Sequence, residues 1–157
     1  MSTSRAPRWL STEEEAAWRA LGGVLVRLPG ALEAQLQRDS GLSFIEYYTL
    51  ARLSEDPEHT QRMSVLAELT DASLSRLSHL VKRMEARGLV RREPDPTDGR
   101  FTNAILLPAG MAKMESAAPE HVAYVRHLVV DNISAERLRR LGRDAEQIVQ
   151  RIDSPAR

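Results

Sequence analysis

The chain has 157 residues, the size of one domain or one domain with extra helices at its ends. Hydrophobic residues make up 42%, enough for a core, while aromatics are only 4% and Leu and Ala dominate, a mixture that suits helices. Lys+Arg and Asp+Glu balance at 22 each, which argues against a non-specific nucleic-acid coat and turns attention to local charge asymmetry. The absence of cysteine excludes disulfides, thiolate metal sites and thiol redox sensing. No apolar run is long enough to span a bilayer and MSTSRAPRWL has no signal-peptide core, so a cytoplasmic protein is expected.

Residues 1–10 are polar and Pro-containing and read as frayed. Thr12 followed by Glu15 has capping-box spacing, and the acids suit a positive helix end. Ala17, Leu21, Val24, Leu25, Leu28, Leu32 and Leu36 then recur at helical spacing across Pro29-Gly30. That predicts one long helix kinked at Pro29, since the break costs a single backbone hydrogen bond while the amphipathic face continues. Ser43 with Glu46 is a further capping box, opening a helix through Tyr47, Leu50, Ala51 and Leu53. Thr60 to Met63 is placed to supply a short strand after the loop at Asp56–Thr60.

The stretch 62–100 organises the rest. Met63, Leu66, Ala67 and Leu69 mark one face of a short helix, and Thr70-Asp71-Ala72 fits a tight turn. Ser73 is a good N-cap for a second helix with Leu74, Leu77, Leu80, Val81 and Met84 on its apolar face. Ser75, Arg76, His79, Lys82 and Arg83 lie opposite, and Gly88 sits where a left-handed residue closes a helix. Leu89–Glu93 and Phe101–Leu107 read as strands around the turn-rich Pro94–Arg100. Helix, short turn, helix and hairpin describe a winged helix-turn-helix. From Arg76 to Arg92 the cations are Arg76, Lys82, Arg83, Arg87, Arg91 and Arg92 against the single acid Glu85.

Past the hairpin, Ala109 to about Val130 reads as a long helix that Pro119 should bend or split. Ser134 opens a last helix with Leu138, Leu141, Ala145, Ile148, Val149 and Ile152 on one face. The terminal helices carry more apolar stripe than a small winged-helix core can cover, so a partner is expected.

The run ARGLVRREPDPTDGR, an apolar strand and LLPAG resemble the signature of the MarR family of transcriptional regulators, with Gly88, Leu89, Val90, Arg92, Asp98, Arg100, Leu107 and Gly110 retained. The chain departs from it at Pro108, usually Thr, and at Gly99, often a second Arg, which removes a charge from the wing. The resemblance spans nearly the whole chain. It implies a mainly α fold with a small β-hairpin wing, as one MarR-type domain. Residues 43–107 would form the winged helix-turn-helix lobe, and 12–38 and 109–152 the helices of a two-fold homodimer.

It further implies a regulator, most simply a repressor, bound to a pseudo-palindromic operator in double-stranded DNA. Ser73, Ser75, Arg76, His79, Lys82 and Arg83 are its candidate DNA contacts, with Ser73 and Ser75 nearest the helix N-terminus and Arg76 suited to a bidentate guanine contact. Arg100 would enter the minor groove, and Asp98 would orient it or brace the wing. The plainer reading of that helix face is a solvated charged surface, and of Arg100 a locally paired loop charge. Arg91 and Arg92 are expected to pair with Asp95 or Asp98 or to touch backbone.

Family members often bind small aromatic anions beside the DNA-reading lobe. The matching region here holds Trp18, Arg19, Leu25, Phe44, Tyr47 and Tyr48, whose plainer role is packing between lobes. The four histidines show no metal-ligand spacing, so no metal or other cofactor is expected, and no motif of a hydrolase or nucleotide-binding site is present. The rival reading is a winged-helix protein–protein interaction module, in which Arg76, Lys82, Arg83 and Arg100 would be dispensable.

Overall fold

The computed structural model describes residues 7–154. The part of the expected N-terminal fraying that falls on residues 1–6 lies outside the described residues, and 7–11 carry no helix or strand. Helix α1 (Thr12–Ser40) runs unbroken through Pro29, as the continuous apolar face predicts. Its cap lies one residue earlier than expected. Ser11 accepts from the Glu14 backbone N–H and Glu14 reaches back to the Ser11 N–H, leaving Thr12 as the first helical residue. Helix α2 (Phe44–Glu55) opens with the expected Ser43/Glu46 box.

Strand β1 (Thr60–Arg62) leads into α3 (Met63–Leu69). Asp71, at φ +49°, turns the chain towards α4 (Leu74–Ala86). Ser73 caps α4 by accepting from the Arg76 N–H. At its far end the Leu89 N–H donates to the Met84 carbonyl and the Gly88 N–H to the Glu85 carbonyl, a closure that needs the left-handed φ of +70° at Gly88. Strands β2 (Val90–Pro94) and β3 (Thr102–Leu106) form the wing, and β1 joins β3 on its other side in the antiparallel order β1-β3-β2. Helix α5 (Pro108–Leu128) passes Pro119 without splitting and is followed by a 3-10 turn at Val130–Asn132 and then α6 (Ala135–Asp153).

One hydrophobic cluster holds the lobe together: Leu42, Leu50, Leu53, Leu66, Leu77, Val81, Met84, Val90, Ala104 and neighbours, with Ala117 reaching in from α5. Two apolar positions of the helix-turn-helix behave differently from their periodicity. Leu69 and Leu74 are exposed because each stands at a helix end, where the face has rotated past the core. At Gly110 two backbone segments meet closely: a Cβ there would lie 2.1 Å from the Leu89 carbonyl oxygen, so only glycine lets α5 start against the residue that leads into β2.

Outside that lobe burial thins out. In α1 only Leu32, Gln35 and Leu36 are buried, all in its last third, and α6 buries nothing. Trp18, Val24, Leu25, Val122, Leu141, Ile148, Val149 and Ile152 all face outward.

Candidate nucleic-acid interface

Helix α4 presents its polar face without obstruction. Ser73, Ser75, Arg76, His79, Lys82 and Arg83 are all exposed, while Leu77, Leu80, Val81 and Met84 fix the opposite face in the core. The Ser73 hydroxyl oxygen accepts the capping N–H, leaving its proton free to donate outward. Among the described residues Arg76, Lys82 and Arg83 enter no ion pair. A shallow depression of about 430 Å³ runs along this side, lined by Ile45, Asp71, Arg76, His79 and Arg83 among others.

The other cations of the basic run are occupied. Arg87 pairs with the buried Glu46 at 3.2 Å and donates to the Gly41 carbonyl, tying the end of α4 to the α1–α2 elbow. Arg91 pairs with Glu93, its i+2 neighbour on the same face of β2. Arg92 binds Glu85 through both guanidinium and backbone, which holds the Glu85 carboxyl below its ordinary range. The expected pairing of Arg91 and Arg92 with Asp95 or Asp98 is therefore corrected. β2 leaves α4 at a tight turn and returns beside it, so Glu85 and Glu93 are the nearer carboxylates. Six cations reduce to a compact set of three on one helix face.

At the wing, Arg100 is exposed and grips Asp98 through Nε and Nη2, at 2.9 and 2.6 Å. The pair holds the Asp98 carboxyl below its usual range, mainly through the side-chain hydrogen bond, and raises Arg100 for the same reason. The Arg100 N–H also donates to Asp98. The Asp98 carboxylate therefore holds the Arg100 side chain against the wing tip. Between α4 and the wing lies a second depression of about 240 Å³, lined by Met63, Leu74, Ser78, Arg92, Arg100 and Phe101.

The aromatic group divides. Phe44, Tyr47 and Tyr48 stand together on α2: Phe44 stacks on Tyr48 at 6.1 Å, and Tyr47 packs on His121 of α5 at 4.6 Å. Tyr48 accepts from Arg52 at 2.6 Å. Trp18 and Arg19 do not join them within a protomer. Glu33, which binds the Phe44 N–H, lies fifteen residues further along α1, roughly 22 Å at the rise of an α-helix. Trp18 is exposed there and Arg19 pairs with Glu15.

Sequence reasoning did not foresee that His121 meets Gln35 or that Arg62 meets Asp95. The partners lie 86 and 33 residues apart, and no local spacing signals them.

A helix-turn-helix followed by a hairpin packed on its second helix defines the winged helix-turn-helix class. Sequence and structural comparison narrows this further. The MarR family profile (MarR_2) matches residues 40–100. Among solved structures, Sco3205, a MarR family transcriptional regulator from Streptomyces coelicolor in complex with DNA, is 37% identical at a TM-score of 0.91, covering 96% of this chain and 94% of its own. AbsC, a MarR family transcriptional regulator from the same organism, is 40% identical at 0.87, covering 93% and 98%. The transcriptional regulator BldR from Sulfolobus solfataricus shares the fold at 0.78 and 22% identity, covering 90% and 99%. Nothing among the curated proteins matches this chain. The chain belongs to the MarR family of transcriptional regulators. Among the described residues no helix is long and apolar enough to cross a membrane.

Proposed function

We propose that the protein acts as a homodimer on a pseudo-palindromic operator, with α4 in the major groove and Arg100 at the minor groove, and represses by blocking transcription. The observation that carries the reading is the exposed face of Arg76, Lys82 and Arg83, without carboxylate partners among the described residues, on a helix whose other face is locked in the core. A charge-balanced protein that keeps three free cations on one helix face concentrates its attraction for phosphate there. Ser73 and Ser75 stand at the positive helix end, suited to a phosphate, and Arg76 one turn in is suited to guanine. The 37% identity to a regulator solved with DNA supports the same assignment.

Burial supports the dimer. Helix α6, with Leu141, Ile148, Val149 and Ile152 exposed along it, buries none of its residues among the described part of the protomer. A two-fold pairing of α1, α5 and α6 would cover that stripe and present two copies of α4 one helical turn of DNA apart, about 10 bp. A small aromatic anion bound near Phe44, Tyr47 and Tyr48, where α1, α2 and α5 meet, would release the operator if it favoured a different spacing, and by linkage DNA would weaken its binding in turn.

The test is binding to DNA from the gene's own upstream region across a salt series, with Arg76→Ala and Arg100→Ala alongside. Selective binding with a steep negative salt slope, weakened in both variants, is the expected result. Binding that ignores sequence and survives both substitutions would exclude operator reading at that locus.

A further inference from the structure

The wing is closed around one buried carboxylate. Asp95 is 8% exposed. Its Oδ1 accepts from the Thr97 N–H (2.8 Å), the Thr97 hydroxyl (2.6 Å) and the Asp98 N–H (3.2 Å). Its Oδ2 accepts from Nε of Arg62 at 2.7 Å. The Asp95 N–H donates to the Phe101 carbonyl and the Phe101 N–H to the Asp98 carbonyl, so the tip is hydrogen-bonded on itself. Four donors, those of Thr97 foremost, hold the Asp95 carboxyl far below the ordinary range.

Arg62 comes from outside the wing. It is the last residue of β1 and the N-cap of α3, and its backbone pairs with Asn103 in the middle strand. Its side chain therefore crosses β3 to reach Asp95 just beyond β2, with its guanidinium 4.6 Å from the centre of the Phe101 ring. A continuous path results. Arg62 binds Asp95, Asp95 binds the Asp98 N–H, and the Asp98 carboxylate grips Arg100.

We propose that Arg62 and Asp95 are positioning residues for DNA binding: their ion pair fixes the wing tip, and with it Arg100, relative to α3 and α4. This rests on the reading that Arg100 contacts DNA. A seven-residue tip free to move would lose conformational freedom on docking, and a tip held in place beforehand avoids that loss.

The sign of one substitution separates positioning from bulk electrostatics. Asp95→Asn removes a negative charge near the DNA-facing surface, so by charge alone it tightens binding. By positioning it weakens binding, because a neutral amide is a poorer partner for Arg62 and for the turn N–H groups.

The probe is the duplex that wild-type protein selects from a randomised pool, used to measure Asp95→Asn, Arg100→Ala and their combination. The expected result is that Asp95→Asn weakens binding roughly tenfold and adds less than about threefold once Arg100 is gone, the non-additivity of residues acting through one another. Asp95→Asn binding as well as wild type, or losses that multiply in the double variant, would overturn the proposal. If Asp95→Asn loses its cooperative melting transition, Arg62→Gln replaces it in the same cycle with the same criterion. Amide exchange in the DNA-free protein gives a second readout. Thr97 and Asp98 should exchange faster in Arg62→Gln than in wild type, and equal rates would overturn the proposal. An Arg100→Ala variant that binds like wild type would remove the wing reading itself, a failure distinct from one confined to Asp95.

Discussion

Nδ1 of His121 in α5 meets Oε1 of Gln35 in α1 at 2.9 Å, beneath the ring of Tyr47 from α2. The Gln35 amide nitrogen donates to Asp39, whose carboxylate only accepts, so Gln35 must turn its carbonyl oxygen towards the imidazole. That places the ring proton on Nδ1 of a neutral histidine. Three helices join at this contact, where the long terminal helices meet the lobe carrying α4.

This contact predicts a pH dependence. Burial lowers the His121 pKa below 6.5, so on acidification the unfolded chain takes up the proton first. The stability contributed by neutral His121 is complete above about pH 6.5 and falls as pH drops towards the lowered value. The melting temperature should therefore decline as pH falls below about 6.5 in wild type, and less so in His121→Asn, which offers Gln35 a non-titrating donor. Coincident pH profiles for the two proteins would contradict the assignment.

Gly110→Ala should be among the most damaging single-methyl additions in the chain. The new Cβ meets the Leu89 carbonyl, which is itself held by the Leu107 N–H, and a Leu106 methyl at 2.8 Å. A loss of about 3 kcal/mol is expected from overpacking against backbone that cannot give way. Chemical denaturation checks it, and a midpoint unchanged from wild type would show that α5 moves freely at its start.

Ile148→Asp places a charge in the middle of the exposed α6 stripe and touches nothing in the protomer core. Sedimentation should show a dimer becoming a monomer with its helical content largely kept. A variant that stays as associated as wild type would show that α6 is not the dimer contact.

Arg76→Ala and Lys82→Ala should fail differently on DNA. If Arg76 pairs with a guanine, its loss costs about 1–3 kcal/mol and flattens preference at one base pair per half-site. Loss of Lys82, a point charge on phosphate, weakens all sequences alike and lowers the salt slope by about one. Binding measured on singly substituted duplexes separates the two patterns.

Much of this architecture is legible in the sequence because it is set locally. Capping residues, 3.6-residue periodicity and the Gly88 closure each act within a few positions, and they place α2, α4 and the wing to within a residue or two. The miss at Thr12 is of the same kind: Ser11–Glu14 and Thr12–Glu15 both satisfy the capping-box spacing, and only the chain's entry path decides between them. What escapes is pairing at long range. Thr97 and Asp98 invite a reading of Asp95 as a turn residue, yet its charge is answered by Arg62 from another strand. Arg91 and Arg92 face the reverse problem, with several acids close in sequence and only strand geometry to choose among them. The junction aromatics show a third limit. Trp18 and Phe44 share a chemistry, but the length of α1 keeps them apart within the protomer.

The most direct measurement is selection of DNA from a randomised duplex pool by the wild-type protein. The account predicts enrichment of an inverted repeat whose half-site centres lie about 10 bp apart, the spacing of two α4 helices related by a two-fold axis. A pool that emerges without a preferred sequence, or with a single asymmetric site, would contradict a homodimer reading DNA through α4.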